Sequence, residues 1–253
     1  MDKVRPKKAL GQHFLTDENV SRRIADTIGS CPSLPVVEVG PGMGMLTKFL
    51  IADNRDLTVV ELDTESVAYL HETYPSLNII EGDFLNIPLS DFGPKICVIG
   101  NYPYNISSQI FFHVLDYKAI VACCSGMLQR EVAERICAAP GTKARGILSV
   151  LLQAWYDTEY LFTVSEQVFN PPPKVKSGVI KLTRNSVTEL GCDERFFKIV
   201  VKTTFGQRRK TIRNSIKPLL KPGVAMPESP LLALRPEQLS VEQFIELTNL
   251  IKG

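Results

Sequence analysis

The sequence predicts a doubly wound α/β domain with a mostly parallel sheet, followed by a small helical domain. Between residues 35 and 185, short β-branched runs alternate with amphipathic stretches, which is the pattern of a parallel sheet covered by helices on both faces. After about residue 187, apolar residues recur at helical spacing, and prolines then interrupt the chain. We therefore expect one domain at 1–186, with a basic N-terminal arm at 1–23, and a second domain at 187–253.

The elements of the first domain follow from local periodicity. Runs of Val, Ile and Leu predict strands at VVEV (36–39), LTVVEL (57–62), LNII (77–80), KICVIG (95–100), AIVACC (119–124) and LSVLLQAWY (148–156). Helical spacing of apolar residues predicts helices between them at 46–52, 66–74, 107–115 and 129–137. Only a short connection separates the strand-like runs within 148–184, so we expect the sheet to end in an antiparallel hairpin.

Composition excludes several classes of protein. No apolar run reaches the roughly 18 residues of a membrane-spanning helix, and the basic N-terminus is not followed by a continuous apolar segment. We therefore expect a cytoplasmic protein that does not enter a membrane. The six cysteines lack metal-ligand spacing, which favours reduced, mostly buried thiols over a disulfide framework or a metal site.

The formal net charge of +2 is unevenly distributed along the chain. Residues 170–222 contain 13 Lys or Arg against three acids, and residues 1–23 contain six against three. The densest group has no acid within it and consists of Arg208, Arg209, Lys210, Arg213 and Lys217. This segregation predicts basic surfaces that bind a polyanion, foremost a nucleic acid.

A glycine-rich turn follows the first predicted strand, in VVEVGPGMGML at 36–46. Gly40, Gly42 and Gly44 remove Cβ atoms where a strand bends into a helix, so a ligand can lie against the backbone. A dinucleotide fingerprint would need glycine at Met45, and the Gly-Lys-Ser or Gly-Lys-Thr of a P-loop is missing. The turn is therefore a ligand site of another kind or a plain strand-to-helix bend.

Two acids lie at the ends of the next two strands. Glu61 ends the second strand, where a carboxylate can accept both hydrogen bonds of a ribose diol. Asp83 follows the third strand and can accept from an exocyclic amine. Together with the glycine turn, these acids predict a nucleoside pocket without a pyrophosphate site, which suits S-adenosylmethionine.

The fourth predicted strand ends in Gly100-Asn101-Tyr102-Pro103-Tyr104. Methyl transfer to an aromatic amine requires the nitrogen lone pair to be freed from the ring, and acceptors around the NH2 group favour this in the transition state. The Asn101 oxygen and a carbonyl of the Tyr102-Pro103 backbone are the predicted acceptors. Tyr104 offers a flat surface on which an extruded base can stack.

Further motifs extend this pattern along the chain. They are KKALGQHFL at 7–15, EVGPGMG at 38–44, VVELD at 59–63, EGDFL at 81–85, GNYPYNISS at 100–108, LQREVAERI at 128–136, VFNPPPKVKSG at 168–178 and FGQRRKTIRNSI at 205–216. In this order they closely resemble the rRNA adenine N6-dimethyltransferase family, and within it the bacterial small-subunit enzymes. Two positions depart from the family pattern: Tyr102, where Leu is usual, and Lys176, where Asp is frequent.

The resemblance implies a seven-stranded Rossmann-like methyltransferase sheet, with S-adenosylmethionine as the methyl donor. The residues implied to bind the donor are Gly40, Gly42, Glu61, Asp83, Phe84 and Asn101, with His13 and Leu15 closing over it. It also implies that Asn101 and Tyr104 handle the target adenine and that Phe169 stacks on its other face. From the residues alone, Phe169 is equally a core aromatic.

The resemblance further implies that the target is a pair of adjacent adenosines near the 3′ end of 16S rRNA, methylated by a monomer in a pre-30S particle. The residues expected to hold the RNA are Lys174, Lys176, Arg208, Arg209, Lys210 and Arg213, together with the basic arm. Three alternatives stay open: a large-subunit rRNA methyltransferase of the macrolide-resistance type, a DNA adenine methyltransferase, and an assembly factor whose methylation is secondary.

Overall fold

The computed structural model describes residues 4–7, 10–222 and 224–252, so the predicted arm lies partly outside the described residues, at 1–3 and 8–9. The strands are β1 (Phe14–Leu15), β2 (Val36–Val39), β3 (Leu57–Glu61), β4 (Asn78–Glu81), β5 (Ile96–Asn101), β6 (Val121–Gln129), β7 (Tyr156–Val164), β8 (Phe169–Asn170) and β9 (Ser177–Arg184). The α-helices are α1 (Glu18–Asp26), α2 (Thr47–Ala52), α3 (Thr64–Thr73), α4 (Ser107–Asp116), α5 (Arg130–Ile136), α6 (Ile147–Gln153), α7 (Glu194–Gly206), α8 (Ile212–Ser215) and α9 (Val241–Lys252).

Seven strands form one sheet in the order β4-β3-β2-β5-β6-β9-β7, which confirms the predicted mostly parallel α/β fold. The strands from β4 to β6 pair in parallel, whereas β9 pairs antiparallel with β6. The chain leaves the centre of the sheet in one direction through β3 and in the other through β5. A crevice therefore opens beyond the carboxyl ends of β2 and β5, where ligands bind in this class of sheet.

The prediction of a strand at 148–156 is wrong over most of its length. Residues Ile147–Gln153 form α6, and a strand begins only at Tyr156. A short, continuously apolar run does not distinguish a buried helix from a buried strand. The discriminating signal is local: the Gly146 N–H donates to the Ser149 hydroxyl at 2.9 Å, which caps the first turn of α6.

A second, two-stranded sheet was not predicted. In it β1 pairs antiparallel with β8, so that Phe14 faces Asn170 and Leu15 faces Phe169. The Thr16 N–H extends the ladder by donating to the Val168 carbonyl at 2.8 Å. The pairing joins segments more than 150 residues apart, and it fixes the described part of the N-terminal segment against the sheet domain.

The C-terminal helices have a core of their own. The buried positions of α7 are Phe197, Val200, Val201 and Thr204, which recur at helical spacing along one face. Helix α6 packs against α7 and α9. Residues 134–157 therefore belong to the same compact unit as residues 185–253, whereas the predicted boundary assigns them to the sheet domain. Within the described ranges, no helix is long and apolar enough to cross a membrane.

Candidate active site

A cavity of about 240 Å³ lies at the carboxyl ends of β2, β3 and β5. The predicted donor-binding and catalytic residues that line it are His13, Leu15, Gly40, Gly42, Glu61, Asp83, Phe84, Asn101 and Tyr104. These residues come from five separate stretches of sequence, and four of the stretches meet at one wall because they lie at the ends of parallel strands, at the same edge of the sheet. Of the residues predicted for chemistry or donor binding, Phe169 alone is not part of this wall.

The glycine turn after β2 has the backbone that only glycine adopts without strain. Gly40 and Gly42 have φ values of +64° and +56°. A Cβ atom on Gly42 would also lie 2.9 Å from a ring carbon of Phe14, which is too close for two carbon atoms. Any side chain at Gly42 would therefore strain the turn and push Phe14 out of position.

Glu61 is held at the cavity by backbone donors. Its carboxylate accepts from the N–H of Gly42 at 3.0 Å, and from those of Leu62 and Asp63 at 2.9 Å each. Burial raises the pKa of Glu61, and the backbone hydrogen bonds oppose that shift. The carboxylate is thus fixed in orientation, and Oε2, which accepts only the Gly42 N–H bond, has a second lone pair for a ligand.

A second buried acid, Glu38, also lines the cavity but was not assigned from the sequence. It lies in the middle of β2, where it is 1% exposed and accepts a hydrogen bond from the Thr47 hydroxyl at 2.8 Å. Burial, reinforced by the charge of Glu61, raises the pKa of Glu38 to about 8. The available signal was a carboxylate within an otherwise apolar strand, because such a residue is costly to bury without a role.

We expect Glu38→Gln to remove a pH-dependent loss of stability. The unfolded carboxyl ionises near its ordinary pKa of 4.5, whereas the folded one keeps its proton up to about 8. The folded state therefore binds more protons between these values and loses up to about 1.4 kcal/mol of stability per pH unit as pH rises. Urea unfolding from pH 5 to 9 should show that the free energy of unfolding of the variant, relative to that of wild type, rises with pH until about pH 8. The exposed control Glu72→Gln should show the same pH dependence of stability as wild type. If the stability of Glu38→Gln also varied with pH as that of wild type does, the raised pKa of Glu38 would be contradicted.

Asp83 and Phe84 form the wall beyond β4. The Asp83 carboxylate caps a 3₁₀ turn by accepting from the Leu85 N–H at 3.0 Å and from the Asn86 amide at 3.2 Å. Phe84 is buried and meets the His113 ring edge-on, with the ring centroids 5.2 Å apart. The turn thus presents one half-buried carboxylate beside an apolar surface.

Asn101, the last residue of β5, has a fixed amide orientation. Its Nδ2 donates to the His13 carbonyl at 3.1 Å. No described residue donates to its Oδ1, so this oxygen is available to a ligand. The N-terminal segment, which is held in place by the pairing of β1 with β8, therefore orients the amide so that Nδ2 faces His13 and Oδ1 is left for binding.

Tyr104 and His13 form an aromatic surface beside Asn101. Their ring centroids lie 5.5 Å apart with the planes 34° apart. The Tyr104 hydroxyl bonds to the Ser177 hydroxyl at 2.5 Å, and the His13 Nδ1 lies 2.8 Å from the Pro171 carbonyl oxygen. Burial raises the pKa of Tyr104, so its phenol is neutral at physiological pH.

Phe169 lies in the hydrophobic core of the sheet domain. It is 4% exposed and packs in a buried cluster that includes Leu15, its partner in the two-stranded sheet. The structure therefore places it as the core aromatic that the sequence also allowed, and its stacking role stays a prediction. Lys174 and Lys176, which follow in the same segment, are exposed.

Tyr102, one of the two departures from the family pattern, is a core residue. It is 1% exposed, and its hydroxyl donates to the Ser125 carbonyl at 2.7 Å. Its ring lies against Gly126, where a Cβ atom would be 2.7 Å from the ring and 2.2 Å from the Gly100 carbonyl oxygen. The larger side chain is thus accommodated beneath the turn by a glycine on the neighbouring strand.

We therefore expect Tyr102→Phe to affect stability and to leave methyl transfer intact. Removing the hydroxyl deletes one buried hydrogen bond, which should cost about 0.5–1.5 kcal/mol. Thermal denaturation and the KM for the RNA substrate would be measured on the same preparation. A raised KM with unchanged stability would instead show that Tyr102 contacts the substrate.

The cations of the N-terminal arm that the structure describes are mostly engaged within the chain. Lys7 forms ion pairs with Asp63 at 2.5 Å and with Glu65 at 3.0 Å. Arg22 bonds to two aspartates, and Arg23 lies over the Phe162 ring at 3.6 Å. These contacts tie the described part of the arm to the sheet domain and engage three of its four described cations.

The basic group of the helical unit differs in this respect. Arg208 donates to the Lys143 carbonyl and lies 3.9 Å from Glu237. By contrast, Arg209, Lys210 and Arg213 are exposed, and no acid among the described residues pairs with them. Three of the four cations predicted here are therefore available to an external anion.

Two further residues of the cavity wall escaped the sequence analysis. Leu62, directly after Glu61, lines the cavity although it is 52% exposed, so it presents an apolar surface to a ligand. Gln12 reaches across to Asp63 at 3.4 Å and accepts from the Lys7 N–H at 2.8 Å. Leu62 belongs to VVELD and Gln12 to KKALGQHFL, so both lie in motifs that had been noted without assigning them a role.

The sheet order and the cavity at its carboxyl edge place the protein among the Rossmann-like methyltransferases. A dimethyladenosine transferase from Plasmodium falciparum has the same fold, with a TM-score of 0.77 at 22% identity over 93% of this chain and 96% of its own. The 23S rRNA methyltransferase ErmE has a TM-score of 0.70 at 25% identity, covering 95% of this chain and 100% of its own.

Sequence comparison defines the family more closely. Residues 3–252 match the sequence model described as "Ribosomal RNA adenine dimethylase", and the chain belongs to that family. A relative from Parabacteroides distasonis, named "Ribosomal RNA small subunit methyltransferase A", is 66% identical over 97% of this chain and 93% of its own length. A relative of the same name from Flavobacterium johnsoniae is 54% identical over 100% of this chain and 98% of its own.

Proposed function

We propose that this chain dimethylates the N6 amines of two adjacent adenosines near the 3′ end of 16S rRNA, using S-adenosylmethionine. The observation that carries the proposal is the Asn101 Oδ1, to which no described residue donates, in the wall of a nucleoside-sized cavity that Tyr104 also lines. The choice of the small subunit rests on the relatives of 54–66% identity, which are named for that subunit.

The residues of the cavity suit the methyl donor. Glu61 is a fixed acceptor for a ribose diol, Asp83 is a half-buried acceptor for an exocyclic amine, and Leu62 offers an apolar face to a base. The strain-free turn at Gly40 and Gly42 lets the rest of the donor lie along the backbone. When bound, S-adenosylmethionine supplies an electrophilic methyl group.

The groups of this chain would prepare the target amine. Asn101 Oδ1 and the backbone carbonyl before Pro103 accept hydrogen bonds from the NH2 group, which draws the nitrogen lone pair out of conjugation. The neutral Tyr104 ring stacks on the base and holds it in plane, which is worth about 1–3 kcal/mol per base. The monomethylated amine keeps one N–H that can donate to one of these acceptors, so a second methyl group can follow the first.

The likeness to the 23S rRNA methyltransferase ErmE favours one second candidate. A large-subunit adenine methyltransferase would use the same cavity and the same Asn-x-Pro-Tyr turn. Since the chemistry is shared, only the RNA that is recognised distinguishes the two functions.

The deciding experiment compares substrates in parallel. Purified protein and labelled S-adenosylmethionine would be incubated with small subunits lacking the modification, with large-subunit RNA and with double-stranded DNA. We expect N6,N6-dimethyladenosine in nuclease digests of the small-subunit rRNA only, and no label in small subunits that are already dimethylated. Label in large-subunit RNA or DNA alone would overturn the proposal.

The partner and setting belong to the same proposal. We infer that the protein acts in the cytoplasm, as a monomer, on rRNA within a pre-30S particle rather than on free RNA. Sedimentation of the protein with immature small subunits, mature small subunits and naked 16S rRNA tests the requirement for a particle. Equal binding to naked 16S rRNA would contradict the requirement for a particle.

A further inference from the structure

Three cysteines from separate segments meet near the amino ends of the parallel strands, at the opposite edge of the sheet from the cavity. Cys31 lies in the loop after α1, Cys97 near the start of β5 and Cys123 near the start of β6. Their sulfur atoms all lie within 4.8 Å of one another. Cys97 and Cys123 are direct partners in the parallel ladder, so their thiols share one face of the sheet and Cys31 completes the group.

The loop that bears Cys31 is held in place by neighbouring cations. The Arg55 guanidinium donates to the carbonyls of Ile28, Cys31 and Leu34 at 3.4, 2.5 and 3.4 Å. The Lys181 ammonium donates to the Ser30 hydroxyl at 3.0 Å, next to Cys31 in sequence. The third sulfur is therefore positioned in advance, with two positive charges close to the cluster.

The sulfur spacing suits a single thiophilic ion. With metal–sulfur bonds of about 2.3 Å, three sulfurs around one ion lie about 4 Å apart, so the cluster would contract by less than about 1 Å. A structural zinc site takes four ligands, whereas the cluster among the described residues offers three. Soft thiolate ligands also select Cu(I). Three thiolates and Cu(I) sum to a net charge of −2, which Arg55 and Lys181 offset.

We propose that Cys31, Cys97 and Cys123 form a binding site for one Cu(I) ion, which ties the loop after α1 to β5 and β6. The ion enters past Cys31, which is half-buried, whereas the other two are fully buried. On binding, the three thiol protons pass to solvent, and copper keeps its oxidation state. The site is separate from the methyl-transfer cavity, so it does not depend on the proposed function.

Copper(I) titration under anaerobic conditions, against a chromogenic chelator, tests the site. We expect one Cu(I) per full-length chain, three sulfur neighbours by X-ray absorption, and a higher Tm with copper than without. Cys31→Ser should weaken binding by at least about 100-fold, because even outer-shell changes cost 10–100-fold. Cys31 is the variant of choice because it lies on a loop, and its Tm without copper checks the fold.

Cys192→Ser provides the matched control, since Cys192 is also half-buried but lies outside the cluster. It should bind copper like wild type. Sub-stoichiometric binding by wild type, equal affinity in Cys31→Ser, or loss of binding in Cys192→Ser would each overturn the proposal.

Discussion

Asn101→Ala should slow methyl transfer by about 10²–10³-fold while S-adenosylmethionine still binds. Among the described residues, the side chain donates to the His13 carbonyl alone, and its Oδ1 is the acceptor left for the target amine. Removing one hydrogen-bonding group that acts in the transition state typically lowers kcat by about 10²–10³-fold. Single-turnover transfer to unmodified small subunits, with calorimetry of donor binding on the same protein, measures both effects.

Two variants sharpen this test. Asn101→Asp keeps an acceptor oxygen but loses the N–H that bonds to His13, so it should retain more activity than Asn101→Ala if the acceptor is what matters. Asn78→Ala is the control, because Asn78 is exposed on β4 and bonds to Thr58. Normal turnover by Asn101→Ala would remove the acceptor from the mechanism.

The same variant separates catalysis from an assembly role. A strain that lacks the gene can be complemented with Asn101→Ala and its ribosomal subunits examined. If the inactive protein restores subunit maturation, its occupancy of the particle matters more than methylation. Failure to restore maturation, with normal expression, shows that the methyl groups themselves are needed.

The fold could be predicted as far as local patterns determine it. Strands such as Val36–Val39 and helices such as Ser107–Asp116 were located to within a residue or so, because β-branched runs and helical periodicity are local signals. The run at 148–156 was assigned to the wrong element because its residues are buried on all sides in either structure. Pairing of β1 with β8 depends on contacts across most of the chain, which no local pattern reveals.

The functional site likewise contains residues that the sequence pattern predicts and residues that only the folded structure reveals. Glu61 and Asn101 were found because strand ends converge in a parallel sheet, which follows from topology alone. Glu38 was missed because a carboxylate inside a strand reads as a surface residue until the strand is known to be central. The cysteine cluster was excluded on spacing, since Cys31, Cys97 and Cys123 come together only in the folded sheet.

Replacing Arg209, Lys210 and Arg213 together with Ala should weaken RNA binding and flatten its salt dependence. Each cation that neutralises a phosphate releases condensed counterions, and log K falls with log salt by about 0.7–0.9 per contact. Losing three such contacts should make the slope shallower by about 2–3. Co-sedimentation of the protein with immature small subunits at about 50 to 300 mM salt, with temperature and pH held constant, measures the slope.

Arg208 and Arg209 are adjacent residues of one type with different surroundings, and they form the matched pair for this experiment. Arg208 is engaged by the Lys143 carbonyl and lies close to Glu237, whereas Arg209 is exposed without a described partner. Arg209→Ala should therefore reduce the salt slope by about one contact, and Arg208→Ala by less. Because the Arg208 side chain bonds to the loop that contains Lys143, Arg208→Ala should instead lower the Tm. An unchanged slope in the triple variant, with native circular dichroism, would exclude this basic group from RNA binding.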